Sequence, residues 1–202
     1  MPHHGDVTSK HRADLYISCD VEADGPIPGP YSMTSLGAVV AGSYNGTTYS
    51  AADPDAQTFY RELRPISTEY VPAAAAVSGL ERSALERDGA DPATAMAEFA
   101  AWVREVSGDA RPVFVAYPAG FDWMFVYWYL IRFTGESPFG HSSCLDMKTL
   151  YAARSGAPIN RSVKSAMPRH LHSRRRHTHH ALDDAAEQAD LFSNLMRWNG
   201  QT

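Results

Sequence analysis

Residues 15–26, LYISCDVEADGP, constrain this chain more than any other stretch. Leu15, Tyr16, Ile17, Cys19 and Val21 predict a strand bound for a hydrophobic core, yet Asp20 and Glu22 stand one residue apart within it. Side chains alternate along a strand, so Ser18, Asp20 and Glu22 share one sheet face while Ile17, Cys19 and Val21 share the other. Two neighbouring carboxylates among apolar residues repel each other and lose hydration. A core tolerates them when something positive sits between them, either an arginine or a metal ion. Any fold for this chain has to supply that charge.

The chain of 202 residues is long enough to bury a core in one domain, expected over residues 15–202 and preceded by a disordered arm at 1–14. Its formal charge of -5 argues against bulk electrostatic coating of nucleic acid and leaves room for a local basic groove. Two cysteines, Cys19 and Cys144, provide no disulfide framework and read as buried thiols in a reducing compartment. The N-terminus has no apolar segment of the signal-peptide kind. The apolar run at residues 123–131 falls far short of the roughly 20 residues that span a bilayer. A cytoplasmic protein with no membrane partner is expected.

Punctuation and periodicity predict the elements. After the first strand, the Pro/Gly-rich GPIPGP at 25–30 forces a turn, and strands follow at 32–43 and 58–65 as an antiparallel meander. Residues 91–108 open on Asp-Pro, close on Gly and carry Ala95, Met96, Phe99, Trp102, Val103 and Val106 at helical spacing. A short buried strand is predicted at 111–118, an apolar helix from Phe121, a strand or helix start at 142–151 and an amphipathic helix at 182–198. This order describes an α/β domain with a mixed sheet.

Two further acids share the oddity of the first pair. Asp122 stands past the end of the central strand and at the start of the apolar helix, where a capping role is the plain alternative. In the last helix, Asp183, Glu187, Asp190 and Asn194 form a polar stripe predicted to face solvent. Asp184 instead lines up with Leu191 and Leu195 on the buried side. All-carboxylate ligation suits hard cations such as Mg²⁺ or Mn²⁺.

At these residues the sequence resembles the DEDDh 3′-5′ exonucleases. DVE at 20–22, FD at 121–122 and HHALDDA at 179–185 occur in the family's order across most of the chain. The resemblance implies a ribonuclease H-like α/β fold, with a mixed five-stranded sheet flanked by helices. It implies two divalent cations, Mg²⁺ or Mn²⁺, held by Asp20, Glu22, Asp122 and Asp184, with His179 as general base. The implied activity is phosphodiester hydrolysis of DNA or RNA from a 3′ end, releasing nucleoside 5′-monophosphates. A catalytically inactive nucleic-acid-binding module of the same fold is the alternative. The partner implied is a single-stranded 3′ end, and a homodimer is compatible with the pattern. Ala23 beside the first motif, and Ser78 and Gly79 in AVSGL at 76–80, match positions next to the terminal nucleotide. Where many relatives carry Asn four residues before the second acid, this chain has Pro118.

Two features lie outside those motifs. The loop PRHLHSRRRHTHH at 168–180 holds four arginines and five histidines. It reads either as a solvated loop or as a flap whose Arg175 and Arg176 grip phosphates. A zinc cluster is a weaker reading, because the histidines have no cysteine partners or ordered spacing. Phe121 and Trp123, at the start of the apolar helix, are candidates for stacking on bases.

Overall fold

The computed structural model describes residues 12–200, so the arm expected at 1–14 lies almost wholly outside the described residues. Six strands form one sheet: β1 (Asp14–Ala23), β2 (Met33–Tyr44), β3 (Tyr49–Ala51), β4 (Thr58–Glu62), β5 (Arg111–Ala116) and β6 (Cys144–Asp146). Six α-helices accompany them among the described residues: α1 (Pro72–Ala75), α2 (Arg82–Asp88), α3 (Pro92–Ser107), α4 (Ala119–Thr134), α5 (Met147–Ser155) and α6 (Ala181–Arg197), with three short 3-10 turns between α5 and α6. The meander is present, with β2 antiparallel to β1 and β4, and the three-residue β3 adds a sixth strand that the sequence reading did not include. On its other side β1 runs parallel to β5, and β5 to β6. The stretch at 142–151 is both things at once: Asp146 ends β6 and its carboxylate caps α5 through the N–H groups of Lys148 and Thr149.

As the central strand, β1 is covered on both faces. Ile17, Cys19 and Val21 pack with Phe99 of α3 and Phe125 and Tyr129 of α4. Tyr16 faces the other way, into a second cluster with Ala185, Ala189, Phe192 and Leu195 of α6. The Phe192 ring lies 4.9 Å from Tyr16 and 5.7 Å from Tyr49. Such aromatic pairs add about 0.5–1.5 kcal/mol each beyond area burial, which anchors α6 across β1 and β3.

The start of α6 is set by one glycine. A Cβ on Gly37 would fall 2.2 Å from the carbonyl carbon of Ala181, so only a bare backbone on β2 lets the helix approach. Gly37 pairs with Asp20 across the ladder, so this contact brings the first turn of α6 alongside the acids of β1.

The stripe predicted to be solvated is mostly covered. Glu187 is 8 % exposed and pairs with Lys164, while Ser173 donates to Asp190 and Asn194 to the Leu171 carbonyl. The connection from α5 to α6 packs over this face and supplies polar partners to each residue, so polarity marked a protein-protein surface here instead of a water-facing one.

Candidate active site

The ladder between β1 and β5 ends at Ser18 and Val115, and β1 runs on past it paired with β2 on its other side. This opens a crevice at the carboxyl end of the parallel strands, where α/β sheets bind ligands. Asp20 and Glu22 lie on the stretch that β5 leaves uncovered. Asp122, in the first turn of α4, accepts the Val21 N–H at 3.0 Å and so crosses from the opposite helical layer to the edge of β1. Asp184 arrives from the first turn of α6 and is fully buried. Carboxylate oxygens of Asp20, Glu22 and Asp184 all lie within 4.8 Å of one another. Asp122 stands beside this trio with one oxygen committed to β1.

Among the described residues no arginine is ion-paired with these acids: the ion pairs of Arg61, Arg82, Arg87, Arg104, Arg111 and Arg175 go to others. Lys164 is the cation whose charge reaches Asp20 and Asp122, and its ammonium is already paired with Glu187. Asp20, Glu22 and Asp122 consequently have raised pKa values. Burial, then the carboxylates of Asp122, Asp184 and Glu22, push Asp20 well above the usual carboxylate range. Burial, then Asp184 and Asp122, raise Glu22 to about 7. Burial lifts Asp122 to about 7 against the opposing pull of the Val21 N–H. Three converging oxygen donors short of positive charge are a fitting donor set for a hard divalent cation.

The loop before α6 wraps Asp184. Thr178 and His179 donate consecutive backbone N–H groups to its two oxygens at 2.8 and 2.9 Å. His179 adopts φ 59°, the left-handed region, which aims adjacent N–H groups at one anion. His177 Nδ1 lies 3.0 Å from Asp184 Oδ2, and the His177 and His179 rings are 4.5 Å apart. His180 turns away and stacks on Tyr60 at 4.5 Å, while Asp183 remains exposed.

Three residues of the site had no sequence signal strong enough to find them. His177 was one of five histidines in a polar loop. Gln188, one turn after Asp184, donates to Asp20 Oδ1 at 2.6 Å, and only its helical offset from Asp184 hints at this. Asp146 accepts the Ala119 N–H at 3.1 Å, capping α4 where Pro118 offers no side-chain hydrogen bond.

The substrate-binding candidates separate. Phe121 and Ala23 line an apolar groove of about 450 Å³ with Val21, Glu22, Val71 and Val77. Ser78 and Gly79 sit in the turn just beyond Val77, the Ser78 hydroxyl accepting the Leu80 N–H. Trp123 does not join the groove: partly buried, its ring packs edge-on against Phe114 and Phe139 at the margin of the core and borders a different apolar groove with Tyr127 and Trp128. Arg175 is engaged by Asp55 at 2.8 and 3.0 Å and by Asp190 at 3.4 Å, which fastens the loop, whereas Arg176 is exposed. Among the described residues no helix is long and apolar enough to cross a membrane.

No protein-family model matches the chain. It is 39 % identical over 180 residues to the 3′-5′ DNA exonuclease Cap18 of Escherichia coli, covering 89 % of this chain and 90 % of that protein. Its fold matches the nuclease domain of 3′hExo, a DEDDh family member solved with rAMP, at TM-score 0.64 and 16 % identity over 94 % of both chains. It also matches S. pombe Pop2p in its Mg²⁺- and Mn²⁺-bound form, at TM-score 0.56 and 14 % identity over 92 % of this chain and 85 % of that one. The mixed sheet flanked by helices is thus the ribonuclease H-like fold. Close identity over nearly the whole of both chains decides the affiliation: this protein belongs to the DEDDh family of divalent-metal-dependent 3′-5′ exonucleases and is a phosphodiester hydrolase.

Proposed function

We propose that the protein removes nucleotides one at a time from the 3′ end of single-stranded DNA, with two Mg²⁺ or Mn²⁺ ions at the carboxylate cluster. The observation that carries this reading is the meeting of Asp20, Glu22 and Asp184 within 4.8 Å, although Asp184 lies 164 positions after Asp20. Asp20, Glu22 and Asp184 would hold the ions, with Asp122 completing the site. When bound, such ions polarise the scissile phosphate and offset the charge developing in hydrolysis.

The chain's own residues do the rest. His179, exposed beside Asp184, takes the proton from the attacking water, whose oxygen bonds to phosphorus as the bond to the 3′ oxygen of the preceding nucleotide breaks. A nucleoside 5′-monophosphate leaves, and the shortened strand keeps a 3′ hydroxyl. Phe121, Val21, Ala23 and Val77 offer an apolar groove for the terminal base, with Ser78 and Gly79 at its rim. Burial of Glu22, Asp122 and Asp184 in the crevice supports a single strand, whose splayed terminal nucleotide enters it more readily than a paired one. DNA as substrate follows the name of the relative at 39 % identity.

Incubation of a 5′-labelled oligonucleotide with Mn²⁺ tests this. A ladder of products shortened from the 3′ end, lost in Asp20→Ala, is expected from single-stranded DNA in preference to duplex DNA or RNA. Internal cuts would end the exonuclease reading, and equal degradation of RNA would end the preference for DNA.

A further inference from the structure

The five histidines of the loop at 168–180 do not form one cluster; the fold disperses three of them. His170 lies against the Trp198 ring, His172 Nε2 is 3.1 Å from the Met167 carbonyl oxygen, and His180 stacks on Tyr60. His177 and His179 remain together, and α6 gives them a third donor that the loop itself lacks. Ligand atoms of His177, His179 and Asp184 all lie within 4.8 Å of one another.

We propose that His177, His179 and Asp184 form a separate transition-metal site, selective for Zn²⁺, that withdraws Asp184 from the Mg²⁺ or Mn²⁺ cluster and so inhibits the enzyme. The inhibitory part rests on the exonuclease reading above; the binding part does not.

Donor chemistry separates the two sites. Two imidazoles and one carboxylate suit Zn²⁺ and discriminate against Mg²⁺, while the trio of Asp20, Glu22 and Asp184 offers only oxygen. Geometry allows closure. Tetrahedral zinc with bonds of about 2.0–2.1 Å holds its ligand atoms roughly 3.4 Å apart. The 3.0 Å between His177 Nδ1 and Asp184 Oδ2 is already close to this, and the half-exposed His177 ring has room to turn. The rings of His177 and His179 meet at 75°, so their nitrogens can face one point from different directions. A fourth position stays open to water. Asp184 serves both clusters, and its remaining lone pairs are largely taken by the N–H groups of Thr178 and His179. One ion therefore displaces the other.

The test is a Zn²⁺ titration of the metal-free full chain against a competing chromophoric chelator, with excess Mg²⁺ present. It is run in the Asp20→Asn/Glu22→Gln background, which removes the oxygen-only cluster. One zinc per chain is expected to persist there, and adding His177→Ala or His177→Gln to weaken it at least about tenfold. Co²⁺ substitution should give visible absorption of a four-coordinate site that both His177 variants lose. In the otherwise unaltered enzyme, Zn²⁺ should inhibit Mn²⁺-supported nucleotide release, and His177→Gln should shift that inhibition to at least about tenfold higher zinc. Equal zinc affinity with and without His177, or zinc binding abolished by Asp20→Asn/Glu22→Gln alone, overturns the site. Absence of nucleotide release under any ion would sink the exonuclease reading instead and leave the zinc titration to stand or fall separately.

Discussion

Gln188 donates its side-chain N–H to Asp20 Oδ1 at 2.6 Å, tying the second turn of α6 to an acid whose proton affinity burial and then the neighbouring carboxylates raise. The two residues are 168 positions apart, and the bond holds Asp20 in place on a stretch of β1 that β5 no longer supports. Loss of a partner that orients a metal ligand typically weakens metal affinity about 10–100-fold. Gln188→Ala is therefore expected to move the Mn²⁺ activation curve to higher concentration by about that factor, with rate recovered at saturating metal. Activity titrated against Mn²⁺ checks this, and an unchanged curve contradicts it.

Gly37 controls how closely α6 approaches β2. Its substitution by Ala places a methyl group where Ala181 backbone already stands, and the helix has to move. Overpacking of this kind costs about 1–3 kcal/mol, which for a chain of this size lowers Tm by about 2–4 °C per kcal/mol. Because the shift carries Asp184 away from Asp20 and Glu22, activity should fall further than stability explains. Thermal melts and rates measured on Gly37→Ala at a temperature where it remains folded decide the matter.

His179 combines an imidazole with a left-handed backbone. Asn tolerates that conformation, so His179→Asn keeps the loop and its N–H contacts to Asp184 while removing the proposed base. A positioned general base contributes about 10²–10⁴ in rate, and a loss in that range is expected with Tm nearly unchanged.

Metal-free protein should be more stable at mildly acid pH than above neutrality. Glu22 and Asp122 are each raised to about 7, above the ordinary carboxylate range of the unfolded chain. Between those values the folded state binds more protons than the unfolded state, so stability falls as pH rises through about 7. Below the unfolded range both states are protonated, and the contribution is fully present. Tm of the protein in chelator should rise from pH 8 to pH 5.5. Mg²⁺ or Mn²⁺, which prefers the deprotonated acids, should flatten or reverse the trend.

Much of this site was legible before folding was considered. The alternation of β1 assigned Asp20 and Glu22 to one face, and the helical period of α6 sent Asp184 inward and Asp183 outward, as their burial shows. Both are local properties, since 2.0- and 3.6-residue periods are written within a few neighbours. The same period misjudged Glu187, Asp190 and Asn194, because whether a polar stripe meets water depends on what later packs over it. Trp123 and Phe121 illustrate the same limit: two residues apart on α4, one packs on the margin of the core and the other lines the groove beside the acids.

By itself, then, the amino-acid order determined which side chains were too charged for a core and which face of its own element each would occupy. Tertiary structure alone decided that Gln188 reaches Asp20, that Asp146 caps α4 in place of a residue at Pro118, and that His177 rather than the loop's three other histidines joins His179 at Asp184. The physical reason is one of range. Backbone sterics and side-chain alternation act over a few residues, whereas these contacts exist only once apolar burial on both faces of β1 has brought distant segments to one crevice.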